Sequence, residues 1–314
     1  LLSGDDIGIR QVFGSESVDT ISSFVQEYDL IAIDEAQRIP NIGLGLKILV
    51  DHNPNLKVIA TGSASFDLAN KIGEPLTGRK TTLILHPISQ TELLTIAPPQ
   101  ELKEKLGDFL IYGAYPEIIV AKSNSKRKAI LEEIVGSYLL KDILELEKIK
   151  ASKLLVDLLR LLAFQVGSEV SLNELGKTLA LDPKTISRYL DLLEKAFIVV
   201  NLRGLSRNLR KEVTRTSKYY FYDNGIRNTL ISNFNDLPLR NDIGSLWENF
   251  LFMERIKKQN IQKIYSNNYF WRTWDQKEID LVEERDGKYY AWEFKYKPQK
   301  VLVPIDFAQA YQNH

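Results

Sequence analysis

Cysteine is absent from the 314 residues, methionine occurs once (Met253) and histidine three times (His52, His86, His314). Without cysteine there is no disulfide framework, no thiolate zinc site and no cysteine nucleophile. Three histidines leave no histidine-rich metal cage and no well-supported Ser-His-Asp triad. No apolar run reaches the length of a membrane span, and Leu1-Leu2-Ser3-Gly4-Asp5-Asp6 lacks the form of a signal peptide. The expected location is therefore the cytoplasm, with no membrane partner. Because Met253 is the lone methionine, the chain is not expected to begin at a translation start, and a segment ahead of Leu1 is expected. The length predicts two or three domains, each able to bury a core.

No sign of charge is in excess, with 41 basic and 41 acidic side chains. The balance excludes a protein that is basic throughout, but it conceals an asymmetry. Residues 1–97 carry 7 basic and 12 acidic groups, whereas residues 150–218 carry 13 basic and 7 acidic. Between Arg203 and Lys218, the bases Arg203, Arg207, Arg210, Lys211, Arg215 and Lys218 face one acid, Glu212. Such a run is either a solvated surface or a phosphate-binding patch.

Three short apolar runs without helical period mark the first third: Asp29–Gln37, which ends in two acids, Lys57–Ser63, which ends in small hydroxyl residues, and Thr81–Leu85. They predict strands buried on both faces of a parallel α/β sheet, with helices between them. Ligands gather at the carboxyl ends of such strands, where Asp34, Glu35, Thr61 and Ser63 fall. An acid there can hold Mg²⁺ through its water shell, and a second can polarise an attacking water. Together with Gly78-Arg79, this stretch resembles the AAA-type P-loop ATPases. The resemblance implies ATP and Mg²⁺ as cofactors, Asp34 at Mg²⁺, Glu35 as the catalytic acid, and Ser63 or Thr61 as the γ-phosphate sensor. It implies Arg79 as a finger reaching a phosphate in its own or a neighbouring subunit, and so a homo-oligomer as one expected assembly. No G-x-x-x-x-G-K-[ST] occurs in the chain. The expected sheet accordingly lacks its first, interior strand, and the phosphate-binding loop is expected ahead of Leu1.

Residues 101–112 and 125–150 read as helices separated by a breaker at Gly113–Glu117. The strings Tyr112-Gly-Ala-Tyr-Pro-Glu117 and Tyr138-Leu-Leu-Lys-Asp142-Ile143 carry no evident chemistry. They resemble signatures of bacterial and archaeal AAA-type ATPases with a fused C-terminal domain. Residues 152–200 have the period of a small helical domain. Ser171-Leu-Asn-Glu174 has the capping-box pattern, and Asp182-Pro183 opens a further helix after a short turn. This is helix-turn-helix spacing, with a strand at Ile198–Val200 and the basic run as a wing. A winged helix would direct Lys184, Thr185, Ser187 and Arg188 at a DNA groove, with Arg203, Arg207, Arg210 and Lys211 beside them. The same module also serves for protein docking.

In the last third, residues 244–254 read as an amphipathic helix, 263–265 and 269–272 as strands, and 278–282 with 289–295 as a hairpin turned at Asp286-Gly287. Asp280, then Glu293-x-Lys295 on the partner strand, resembles the PD-(D/E)xK nucleases, and Glu248 on the preceding helix stands where that superfamily often has another acid. The resemblance implies Asp280, Glu293 and Glu248 as metal ligands and Lys295 as the residue that orients or activates water. The expected fold is thus an AAA-type α/β core (1–97), a helical lid (98–150), a winged helix (151–235) and an α/β restriction-endonuclease-like domain (236–314). The expected function is a DNA-associated ATPase whose nucleotide state repositions the other modules. Two alternatives stay open: a non-catalytic docking or regulatory NTPase with a degenerate nuclease fold, and an Mg²⁺-dependent DNA nuclease switched by ATP.

Overall fold

The computed structural model describes residues 1–62, 76, 78–139, 152–206, 217–273, 277–297 and 299–311. Ser63, Arg207, Arg210 and Lys211, and the Leu140-Lys141-Asp142-Ile143 part of the second string, lie outside the described residues. The chain divides into two compact units, Leu1–Leu83 with Lys195–Phe197, and Ile84–Glu194 with Ile198–His314.

In the first unit three parallel strands pair in the order β1 (Leu2–Ser3), β2 (Leu30–Asp34) and β3 (Lys57–Ala60). Helices α1 (Ile7–Phe13), α2 (Val18–Val25) and α3 (Ile42–His52) connect them. The Asp6 carboxylate accepts from Gly8 and Ile9 N–H to start α1, and Ser17 Oγ accepts from Thr20 N–H to start α2. Ile31 and Ile33, on one face of β2, pack with Phe13, Ile21, Val25, Ile42, Leu46 and Leu49 from all three helices. The strands are therefore covered on one face, not on two as their apolar runs suggest. Leu30 and Ile59 on the strands are about half exposed (53% and 51%). The expected strand at Thr81–Leu85 is also corrected: these residues form no strand, and Leu83 and Leu85 are 79% and 94% exposed. β-propensity makes a strand only where a neighbour completes the ladder.

The second unit begins with short helices α4 (Gln90–Leu93), α5 (Pro99–Glu104), α6 (Leu106–Tyr112), α7 (Pro116–Val120) and α8 (Asn124–Glu133). The helix expected over 101–112 is broken at Lys105, and Gly113 ends it at φ 76°. Next come α9 (Ser152–Phe164), β4 (Glu169–Val170), α10 (Leu172–Leu179) and α11 (Pro183–Lys195), then β5 (Val199–Gly204) and β6 (Ser217–Phe221). The α10–α11 turn is tight: Leu181 N–H reaches Gly176 O at 2.9 Å, and a Cβ at Gly176 would meet Leu181 O at 2.6 Å. After α12 (Asn224–Leu230) and the long α13 (Ile243–Ile261) come β7 (Asn267–Arg272), β8 (Glu278–Arg285), β9 (Lys288–Trp292) and α14 (Ile305–Ala310). Residues 263–265, expected as a strand, belong to the connection before β7, where Lys263 has φ 54°. Asp286 and Gly287 both take positive φ, which a tight β8–β9 hairpin requires.

All six strands belong to one sheet, ordered β4-β6-β5-β7-β8-β9. Every pairing is antiparallel except β5 with β7, joined at Arg203↔Tyr269 and Gly204↔Phe270. A buried polar knot around α12 ties the helices to this sheet. Asp223 accepts from Ala114 N–H and Gly225 N–H, both at 2.7 Å. Asn228 donates to Leu110 O (3.1 Å) and Ile111 O (2.8 Å) and accepts from Arg227 and Arg240. Asn249 of α13 pairs with both backbone groups of Phe221 on β6.

A Cβ at Gly113 would lie 1.7 Å from Asp223 Oδ1, whereas one at Gly244 would meet nothing within 4 Å. Gly113→Ala is expected to cost more than about 3 kcal/mol in urea unfolding, by strain at positive φ and loss of the Asp223 bonds. Gly244→Ala should stay within about 1 kcal/mol of the parent.

Candidate functional site

At the carboxyl edge of the first unit's sheet, β2 ends in Asp34 and Glu35, and β3 runs into Thr61. Thr61 N–H donates to Ile33 O (2.9 Å) and Ala36 N–H to Thr61 O (3.0 Å), which holds the two strand ends in register. The Thr61 hydroxyl donates to Asp34 Oδ1, and Asp34 is exposed. Glu35 adopts the left-handed conformation at φ 51°, ψ 37°, costly for a residue with a side chain. Its carboxylate accepts from Gln37 Nε2 (2.8 Å) and lies 3.4 Å from Arg38 Nε, and Arg38 in turn pairs with Asp5 (2.6 Å). Gly4 permits this crowding: a Cβ there would sit 2.2 Å from Glu35 O. An exposed acid with a hydroxyl partner, beside a second acid, fits a hydrated Mg²⁺ and a nucleotide phosphate. Arg79 is not brought to this edge. It pairs with Asp51 in the last turn of α3, a helix about 16 Å long that leads back to the amino end of β3.

On α11, Lys184, Ser187 and Arg188 are exposed while Ile186, Tyr189, Leu190, Leu192 and Leu193 are buried. Thr185 is already engaged, its N–H and hydroxyl both donating to Asp182 (2.9 and 2.6 Å). Arg203 is exposed on β5. Lys218 corrects the reading of the basic run, because it is 2% exposed and faces inward.

The acids singled out in the last third do converge. Asp280 on β8 pairs with Lys295 at 3.7 Å and accepts from Phe294 N–H at 2.7 Å; Lys295 also bonds Glu293. Glu293 and Lys295 lie just past the end of β9. Glu248 on α13 accepts from the Tyr220 hydroxyl at 2.7 Å and lies 3.7 Å from Lys218 Nζ. Lys218 also bonds Glu278, and Arg272 bonds Glu169 at 2.9 Å. Among the described residues no three histidine or carboxylate side chains are grouped to hold a metal ion. Two lysines stand among these acids: Lys295 against Asp280 and Glu293, and Lys218 against Glu248 and Glu278. Lys218, Tyr220 and Glu278 are the partners that sequence reasoning missed; the alternation of Lys218 with Tyr220 along β6 is the one available signal.

Burial raises Glu248 to about 7, against the pull of Lys218 and with Asp280 adding to the rise. Burial likewise raises Asp280. For Lys295, burial works downward, but the bond to Glu293 and the charges of Asp280, Glu293 and Glu248 leave it raised. A carboxyl raised in the folded state binds a proton that the unfolded chain releases. Stability should therefore fall as pH rises from about 4.5 to about 7. Glu248→Gln is expected to flatten that fall by on the order of 3 kcal/mol, read from urea unfolding at successive pH values.

Residues 2–94 match the family described as an AAA domain, residues 103–237 a domain of unknown function (DUF8612), and residues 243–304 another (DUF4143). An uncharacterized protein of Mycobacterium tuberculosis is 29% identical over 272 residues, 85% of this chain and 58% of its own length. One of Haemophilus influenzae is 26% identical over 243 residues, 74% of this chain and 57% of its own. One of Methanocaldococcus jannaschii is 24% identical over 257 residues, 75% and 56% respectively. The chain thus spans little more than half the length of the curated relatives it matches. No solved structure matches it, and no helix among the described residues is long and apolar enough to cross a membrane. The first 94 residues are, on this comparison, similar to AAA domains.

Proposed function

We propose that the first unit belongs to an ATP-hydrolysing machine of the AAA type, with Asp34 and Glu35 as its working acids. The observation that carries this reading is the Asp34–Glu35–Thr61 group at the carboxyl edge of parallel strands, within the stretch that matches AAA domains. ATP with Mg²⁺ supplies the phosphoanhydride and the charge that makes its terminal phosphorus open to attack. Asp34 would hold the ion's water shell, oriented by the Thr61 hydroxyl. Glu35, fixed in its strained conformation by Gln37 and Arg38, would orient the attacking water and take its proton. Ser63 is proposed as the phosphate sensor, and Arg79 as a finger toward a neighbouring copy. A phosphate-binding loop is proposed in a part of the protein outside these 314 residues, since no such motif occurs in them. The unladdered run Thr81–Leu85 and the half-exposed Ile59 support a further strand beside β3.

ATP turnover by a protein that joins this chain to a phosphate-binding loop tests this. Glu35→Gln is expected to cut turnover by about 10²–10⁴-fold while nucleotide binding persists. Residues 1–314 alone should bind ATP weakly in titration. Turnover unchanged by Glu35→Gln would refute the assignment.

We further propose that α9–β6 acts as a winged helix on DNA. The helix, strand, two helices and paired strands in sequence, the exposed Lys184, Ser187 and Arg188 on α11, and the exposed Arg203 on β5 support it. The same surface as a protein-docking site is the competing outcome. Lys184→Ala with Arg188→Ala should reduce the salt slope of DNA binding by about 2. A slope that does not change would turn the assignment to a protein partner.

A further inference from the structure

We infer that the charged cluster under the β8–β9 hairpin carries its own cation, Lys218, in the part that a divalent metal plays in nucleases with this set of acids. The cluster is a clasp across the sheet, not a hydrolytic centre. This inference is independent of the ATPase reading, which concerns Asp34 and Glu35.

Lys218 is enclosed on three sides. Its ammonium bonds Glu278, lies 3.7 Å from Glu248 Oε1, and stands 5.4 Å from the centroid of the Phe270 ring. Tyr220, two residues along the same strand face, donates to Glu248. Each remaining acid has its own partner: Asp280 has Phe294 N–H and Lys295, Glu293 has Lys295, and Glu169 has Arg272, which also lies 3.9 Å from Glu278. A metal entering here would meet an ammonium it cannot push into water, because Lys218 is only 2% exposed. Like charges at such a separation in a low-dielectric interior repel strongly.

The clasp has a mechanical duty. The β4–β6–β5 half of the sheet meets the β7–β8–β9 half at two register pairs, Arg203↔Tyr269 and Gly204↔Phe270, with Leu205 N–H to Phe270 O (2.7 Å) beyond them. The cluster crosses that junction from both sides, with Glu169 and Lys218 on one half and Arg272, Glu278 and Asp280 on the other. Breaking a buried ion pair by removing one partner strands the other charge, so the clasp resists parting of the halves.

Mn²⁺ titration of the full chain by calorimetry and electron paramagnetic resonance tests this, in an Asp34→Asn background so that only the C-terminal cluster reports. The Asp34→Asn protein should show no saturable Mn²⁺ binding at millimolar concentration. Adding Lys218→Met, which keeps the apolar stem and removes the charge, should create a Mn²⁺ site at least about tenfold tighter. Adding Asp280→Asn should abolish it. Saturable Mn²⁺ binding in the Asp34→Asn protein that vanishes with Asp280→Asn overturns the inference, as does a folded Lys218→Met protein that gains no Mn²⁺. The first arm needs no change at Lys218 and decides the matter if Lys218→Met does not fold.

Discussion

The carboxylate of Asp223 and the amide of Asn228 are the points on which the second unit turns. Asp223 takes the N–H of Ala114, 109 residues earlier, and Asn228 supplies the carbonyls of Leu110 and Ile111, more than 115 residues earlier. Burial raises Asp223, and three backbone N–H groups work against that rise. The two carbonyl bonds satisfy groups that α6 leaves open at its carboxyl end, and Asp223 takes the N–H of Ala114 just beyond it. Without them the helix end would be buried unpaired, at about 1–3 kcal/mol for each group. Ala114, inside the Tyr112–Glu117 string, and Leu110 and Ile111 just before it are the receiving groups for this knot.

Because the knot and the six-stranded sheet reach across the whole second unit, the family matches divide what the fold joins. Residues 103–237 contribute β4, β5 and β6, and residues 243–304 contribute β7, β8 and β9. Neither matched segment holds a complete sheet. The neutral overall charge is likewise a sum of unlike parts: an acidic first third, exposed bases on α11 and on β5, and the cluster in which Lys218 and Lys295 are set against carboxylates.

Local signals were legible in the sequence wherever the physics is local. Ser171 and Asp182-Pro183 start α10 and α11 at the expected residues, since a cap and its N–H partners lie within three positions of each other. The Asp286-Gly287 turn follows from a similar short-range rule. Thr81–Leu85 was misread because an apolar run states a preference, not a partner. Lys218 belongs to the basic run by sequence yet faces inward, because charge in a sequence says nothing of direction; its partner Glu278 lies 60 residues later. Asp223 and Asn228 gave no sign at all, their partners being distant backbone atoms that every residue possesses.

The parallel pairing of β5 with β7 also sets an order of events during synthesis. β5 is complete by Gly204, yet its partner edge arrives only at Asn267, after α12 and α13 have been made. Until then the β4–β6–β5 ribbon carries an open edge ending in the apolar Leu205. Long-range pairings of this kind slow folding and leave the edge open to wrong partners. The ribosome therefore has to release some sixty residues before that edge closes.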